Sequence, residues 1–541
     1  MSDLLLFVRP PRPIWPFNGP GSAFWPPLAF ASLAAAVREE VRAVEVAILD
    51  APALRMGWRT LEQHIRSLKP AYVAIGEEAV SCADGLRLAA LAKSMGAQVL
   101  AGGCCFGNLA AEVLSTGLVD FVVHGEGERT LVELMCALAT RDSSALHDVR
   151  GLSFREGDQV VFTGWRDPID DLDRLPFPAY DLLPMHRYGA ESRNHRDFVA
   201  LELSRGCCHR CSFCVLWRQM GRVHSATVEP CLRTKSPARV VAEVEYVARH
   251  FGRKYIGWVD PCFNANPAVP REVSELLLSR GIRLGQSAWV RADFLCRDAA
   301  SGALDTCVRA GLNEVYIGIE RCSSNELGAL AKGSPYEAVR TALQHISTRH
   351  PQLCTVGSFI YGIEGETPAS IRELFRSAYQ LPLDMVIFIP LTPLPGTPFW
   401  DRTLWDGTGE SLRQCSFLPA FASPAPLRAP HLPQSADVGI PLPSNYPNSL
   451  PTLRAPHLPQ LADVGSSRIP SSNPFPAEHH RAMLHNMTWN WPAGRIRALV
   501  RSLAAPDARR RSIARRLFLR GLRFVLSPAR SAMPLPAWYE S

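Results

Sequence analysis

The strongest constraint on this chain is an alternation of short apolar runs with longer amphipathic segments, made twice and interrupted by a polar, turn-rich stretch. The first pass spans residues 1–145. It predicts strands at Leu4–Val8, Val44–Leu49, Tyr72–Ile75, Ala97–Ala101 and Phe121–Val123, with helices at Leu28–Val41, Leu61–Leu68 and Gly85–Met95. Strands that are apolar on both faces and separated by helices belong in a parallel sheet covered on both sides, so a doubly wound α/β domain is expected. The second pass runs from Phe198 to about Trp405, with strands near 198–203, 255–259, 285–290, 314–319, 355–361 and 385–390. Helices such as Pro237–His250 and Arg271–Ser279 lie between them, the first opened by Ser236 as a cap and by Pro237, whose missing N–H costs nothing at the first helical position. Six βα units predict an open, partial (β/α)6 barrel.

At the carboxyl end of the barrel's first strand, where α/β barrels keep their sites, stands Leu203-Ser-Arg-Gly-Cys-Cys-His-Arg-Cys-Ser-Phe-Cys214. Cys207, Cys211 and Cys214 have C-x3-C-x2-C spacing, so three thiolates share one loop. A structural zinc site closes with four ligands, whereas an iron-sulfur cluster accepts three and leaves one iron open to chemistry. Cys208 is adjacent to Cys207 and is not expected to ligate, because neighbours in sequence seldom reach one cluster together. The bland alternative is a zinc knuckle. Polar residues follow later strands: Asp260 after Tyr255–Val259, Arg291 after Ser287–Val290 and Glu320 after Val315–Ile319.

The run LELSRGCCHRCSFC resembles the signature of the radical S-adenosylmethionine (radical SAM) superfamily. YGIEGETPASI (361–371) and TPLPGTPFWD (392–401) resemble that superfamily's fifth-strand turn and sixth-strand closure. The resemblance implies a [4Fe-4S] cluster on Cys207, Cys211 and Cys214, with SAM bound at the open iron. It also implies SAM contacts from Phe213, Arg291 (carboxylate) and Glu320 (ribose), and an external electron donor of flavodoxin or ferredoxin type.

Glycines fall just past the strand ends of the first domain, at Gly76, Gly102, Gly103, Gly125 and Gly127, the edge where doubly wound sheets bind ligands. No G-x-G-x-x-G follows the first strand, so a nicotinamide cofactor is not favoured. The segment from Lys69 to Leu134 resembles the cobalamin-binding domain that precedes the barrel in one radical SAM subclass. Carried over, Gly76, Ser81, Gly102, Gly103, Gly125 and Glu126 are expected at cobalamin. The D-x-H-x-x-G loop that supplies a cobalt ligand in other cobalamin proteins is absent, and Arg9-Pro-Pro-Arg-Pro-Ile-Trp-Pro16 stands in its place.

The implied activity is methylation of an unactivated carbon, or of phosphorus, in a small-molecule or lipid-like substrate. SAM would serve both as methyl donor to cobalamin and as source of a 5′-deoxyadenosyl radical. The alternatives are a cobalamin-dependent oxidation or cyclisation without methyl transfer, as in the oxygen-independent cyclase of chlorophyll synthesis, and a non-enzymatic cobalamin or redox sensor.

The expected organisation is a cobalamin-binding domain (1–145), a connector (146–195), the radical SAM partial barrel (196–410), a Pro-rich insertion (411–476) and a helical, Arg-rich region (477–541). Fourteen of the 45 prolines lie between Pro419 and Pro476, where Leu427–Gly439 recurs as Leu453–Gly465 with one change. Proline at that density forbids a regular ladder or helix, so an extended, mostly disordered segment is expected. Residues 495–530 hold eleven arginines and one acid, which makes the net charge of +7 the property of a tail. An amphipathic basic helix at 507–526 would pack on the barrel, lie on an anionic membrane or bind RNA; DNA binding is not expected. Fifteen cysteines, the lack of an apolar run of roughly eighteen residues and the lack of a basic leader place the protein in the cytoplasm, with peripheral contact at the inner membrane surface as an added expectation.

Overall fold

The computed structural model describes residues 3–12, 25–76, 78–140, 143–190, 195–224, 227–400, 402–409 and 412. Apart from Leu412, the Pro-rich insertion and the Arg-rich region expected at 411–541 lie outside the described residues.

The first domain is a seven-stranded sheet: β1 (Asp3–Arg9), β2 (Val44–Asp50), β3 (Tyr72–Ile75), β4 (Gln98–Ala101), β5 (Phe121–Val123), β6 (Leu152–Glu156) and β7 (Gln159–Phe162). Its order is β2-β1-β3-β4-β5-β6-β7, parallel through β5, with β6 and β7 added antiparallel. The chain order reverses between β1 and β3, the switch point at which open α/β sheets form their crevice. The β6–β7 pair falls in the segment read as a connector, so that segment extends the sheet before it crosses to the barrel.

The barrel opens with β8 (Phe198–Leu201). Two short antiparallel pairs follow, β9 (Ser204–Arg205) with β12 (Arg233–Thr234), and β10 (Arg222–His224) with β11 (Thr227–Glu229). β13 (Tyr255–Trp258), β14 (Gly285–Arg291), β15 (Leu312–Glu320), β16 (Cys354–Tyr361) and β17 (Met385–Pro390) complete a six-stranded parallel sheet whose spatial order is its chain order. Helix termini obey local chemistry. Ser236 accepts from Arg239 N–H at 3.2 Å ahead of Pro237–Phe251, and Gly252 ends that helix at φ +61°.

Strand alternation sorts the first sheet's residues between two cores. Leu6, Val8, Val73, Val99 and Val122 face Leu61, Ile65 and Phe106 on one side. Leu5, Phe7 and Leu100 face the other, where the apolar cluster continues through Phe30, Tyr180 and Tyr188 into Phe198, Val315 and Phe388 of the barrel. The two domains thus share one core. Two buried acids pin the connector between them. Asp50 accepts from Tyr188 Oη (2.6 Å) and from Arg9 (2.6 and 2.9 Å), and Glu243 accepts from Tyr180 Oη (2.7 Å).

Candidate functional site

The cysteine loop is held at its start by Asp260, at the end of β13. This buried carboxylate accepts Ser204 N–H at 2.5 Å, Ser204 Oγ–H at 2.6 Å and Leu203 N–H at 3.2 Å. Gly206 turns the chain at φ +83°, where an added Cβ would meet Cys231 O at 1.8 Å, so only glycine fits before Cys207. Beyond the turn, Trp217 Nε1 donates to Cys211 O at 3.0 Å and Ser212 N–H to Leu330 O at 3.0 Å. Cys211 is buried and Cys207 and Cys214 half-buried, whereas Cys208 is exposed.

Around this loop the structure brings together the three residues expected at SAM. Arg291 Nη1 lies 4.0 Å from Cys211 Sγ, and its other nitrogens bind Asp293 at 3.1 Å and Lys332 O at 2.8 Å. Lys332 Nζ donates to Glu320 Oε1 at 2.9 Å and lies 5.9 Å from the centre of the Phe213 ring. Glu320 has φ +66° at a register shift between β15 and β16, a left-handed conformation that a bulky residue adopts only under constraint from its surroundings. Lys332 was not singled out from the sequence. It sits in the turn Ala331-Lys-Gly333, whose only mark is the glycine, and tertiary packing alone brings it to the loop.

Burial sets the resting state of the thiols. It pushes Cys214 up to about 11 and raises Cys211 despite the pull of Lys332 and Arg291. Cys207 is raised first by its hydrogen bond with Cys208, then by burial, and that same hydrogen bond lowers Cys208 to about 7. Without a metal centre the three motif thiols are therefore protonated, and binding one would displace their protons.

The glycine edge of the first domain faces this loop. Burial pushes the thiol of Cys104, directly after Gly102-Gly103, up to about 12, and Cys214 is the next largest influence on it. Gln219 Nε2, just past the cysteines, donates to Gly125 O at 3.2 Å. Gly103 has φ +82° with open space where a Cβ would stand, Gly125 has φ +66°, and Gly76 is exposed at the end of β3. Ser81 is buried and receives Arg12 Nη1 at 3.3 Å. Glu126 is engaged by the barrel. Its carboxylate pairs with Arg233 of β12 (2.7 and 2.8 Å) and accepts Ile169 N–H at 2.8 Å. Glu128 likewise binds Arg205 of β9 at 2.8 Å. The Gly-Glu-Gly-Glu segment therefore clamps the sheet edge onto the β9–β12 pair.

The residues present fit the implied groups. Three thiols on one loop beside Arg291 and Lys332 suit a three-ligand cluster with an anionic ligand at its open iron. His209 Nε2, Ser212 Oγ and Ser334 Oγ are buried there without a hydrogen-bond partner among the described residues, as expected of a wall that a ligand completes. At the rim Gly103 leaves open space where a side chain would stand, which admits the close approach of a flat macrocycle to the backbone.

Residues 201–378 match the radical SAM superfamily and residues 21–135 the B12 binding domain. The chain is 30% identical over 386 residues to a protein of Pyrococcus horikoshii described as an uncharacterized methyltransferase, which covers 70% of this chain and 78% of that one. This chain belongs to the radical SAM superfamily. The radical SAM chain is also 25% identical over 304 residues to the anaerobic magnesium-protoporphyrin IX monomethyl ester cyclase of Synechocystis, a match that covers 53% of this chain and 56% of that one. Its fold is similar to that of TsrM, a radical SAM methyltransferase of Kitasatospora setae solved with cobalamin and a [4Fe-4S] cluster (TM-score 0.57, 19% identity, 74% of each chain covered). No helix among the described residues is long and apolar enough to cross a membrane.

Proposed function

We propose that this chain is a cobalamin-dependent radical SAM methyltransferase acting on an unactivated carbon, or on phosphorus, in a small-molecule or lipid-like substrate. The observation that carries the reading is the meeting of two sheet edges in one chain, where Gln219, five residues past Cys214, donates to Gly125 O of the glycine edge at 3.2 Å. In this reading Cys207, Cys211 and Cys214 hold the cluster. Arg291 and Lys332 offer positive charge to the SAM carboxylate, Glu320 orients Lys332 and the SAM ribose, and Phe213 packs beside them. Gly76, Gly102, Gly103 and Gly125 admit cobalamin, while Glu126 and Glu128 fix the distance between the edges. Loaded, the two centres supply electron transfer to SAM and carriage of a methyl group. The chain's own part is to orient SAM and substrate between the edges and to keep water away from a radical. A flavodoxin- or ferredoxin-type protein would deliver the electron, and the Arg-rich tail is the segment proposed for contact with an anionic membrane.

The cyclase relative favours one second reading, oxidation without methyl transfer. An anaerobic incubation of cluster-reconstituted protein with SAM, cobalamin and a strong reductant separates the two. Formation of both S-adenosylhomocysteine and 5′-deoxyadenosine, the first dependent on cobalamin, supports the methyltransferase. 5′-Deoxyadenosine alone supports the oxidative reading, and neither product from protein that retains its iron defeats both.

A further inference from the structure

Away from the cysteine loop, the barrel's outer helical layer carries a second cluster of metal-ligating side chains. Asp305 lies in the helix Ala303–Ala310, His345 in the helix Tyr336–Arg349, and His350 just past that helix, four residues before β16 begins. The chain turns at His350 (φ −130°, ψ 56°), which brings its ring to 5.8 Å from that of His345. One donor atom from each of the three residues lies within 4.8 Å of the others. We infer that Asp305, His345 and His350 form a binding site for a divalent ion of the zinc class.

A plain ion pair between His350 and Asp305 is the simpler reading, since Nε2 and Oδ1 are 2.6 Å apart. It leaves His345 unexplained. The Nε2 of that ring is buried without a hydrogen-bond partner among the described residues, in a cluster where one donor atom from each residue lies within 4.8 Å of the others. An unmet buried nitrogen is costly and calls for a partner. A cation supplies it.

The donor set selects the ion. Two imidazoles and a carboxylate suit zinc-class metals, whereas magnesium and calcium demand oxygen ligands. Around a tetrahedral ion with bonds of about 2.0–2.1 Å, donors sit roughly 3.4 Å apart, so side-chain movements of about an ångström close the set. Asp305 is half exposed, which provides an entry path and leaves the fourth position to water. The site stands at the end of the barrel strands opposite the cysteine loop. Its effect is therefore to staple the helix Ala303–Ala310 to the approach of β16, without contact with the chemistry.

The test uses full-length protein with its iron-sulfur cluster reconstituted, so that the cysteines are occupied. Metal analysis after dialysis against a weak chelator is expected to find about one zinc per chain beyond the iron. Titration with Co2+ is expected to give the visible bands of a tetrahedral nitrogen–oxygen site without a thiolate charge-transfer band. His350→Ala, and the milder His345→Gln at a less buried position, should each weaken Co2+ binding tenfold or more and leave the iron content unchanged. The inference is overturned if wild-type protein takes up no stoichiometric zinc or cobalt, if both variants bind Co2+ as wild type does, or if the bound cobalt shows thiolate charge transfer.

Discussion

Replacing Asp260 tests whether the cysteine loop is organised from beneath. Only 1% of the residue is exposed, and Oδ1 accepts two backbone N–H groups and one hydroxyl from Leu203 and Ser204, three residues ahead of Cys207. Asp260→Ala strands those donors in a buried site. At about 1–3 kcal/mol for each unmet buried backbone donor, the two N–H groups set a loss of roughly 2–6 kcal/mol. Asp260→Asn keeps one acceptor oxygen and should lose about 1–2 kcal/mol. The carboxylate also imposes a pH dependence. Burial pushes its pKa up to about 7, with the nearby Glu202 adding to the rise and the Ser204 hydrogen bond opposing it. The native state therefore holds a proton that the unfolded chain releases near pH 4, so this contribution is full below about pH 4 and is lost as pH rises through about 7. Three pKa units at about 1.4 kcal/mol each put its ceiling near 4 kcal/mol. Urea unfolding of cluster-free protein at pH 5 and pH 8 reads both effects, and iron per chain after reconstitution reads the loop. Wild type should lose more stability than Asp260→Asn between the two pH values, and Asp260→Ala should be destabilised and retain less than half of the wild-type iron. An alanine variant within about 1 kcal/mol of wild type that binds iron fully would refute the clamp.

Alanine at Cys207, Cys211 or Cys214 should abolish iron retention while Cys208→Ala leaves it intact, as read by iron and sulfide analysis. Arg233→Ala leaves the charge of Glu126 buried and unpaired, which should cost roughly 3–5 kcal/mol in urea unfolding, with Glu126→Gln milder. Lys332→Ala should weaken SAM binding at least tenfold in equilibrium dialysis at unchanged iron content, because it removes a buried cation from the set around Cys211. Gly103→Ala forces a side chain into φ +82° at a cost of about 1 kcal/mol and places a methyl in the open rim, so cobalamin retained through gel filtration should fall well before the fold does.

The sequence made most of both sheets legible because their strands are apolar runs punctuated by glycine, and Tyr72–Ile75, Phe121–Val123 and Met385–Pro390 fall where periodicity places them. The hairpin β6–β7 was hidden. Its two strands are short and half exposed, and they lie in a stretch dominated by turn residues, so neighbours in space decide their state. The cysteine motif was readable because its donors are local. Lys332 was missed, Asp260 was noticed only as a strand-end polar group, and the pairing of Glu126 with Arg233 was not foreseen, for one reason. Each acts through a partner between 12 and 107 residues away, and no local pattern records such a pairing.

The account stands or falls on whether cluster and cobalamin share the space between the two sheet edges. Electron paramagnetic resonance of cob(II)alamin in the cluster-loaded protein measures this directly, with the cluster poised reduced and then oxidised. Facing centres predict that the cob(II)alamin signal relaxes faster, or splits, when the cluster becomes paramagnetic, and that the effect vanishes in the Cys207→Ala, Cys211→Ala, Cys214→Ala triple variant. A cob(II)alamin signal indifferent to the state of the cluster, in protein that retains both centres, would contradict it.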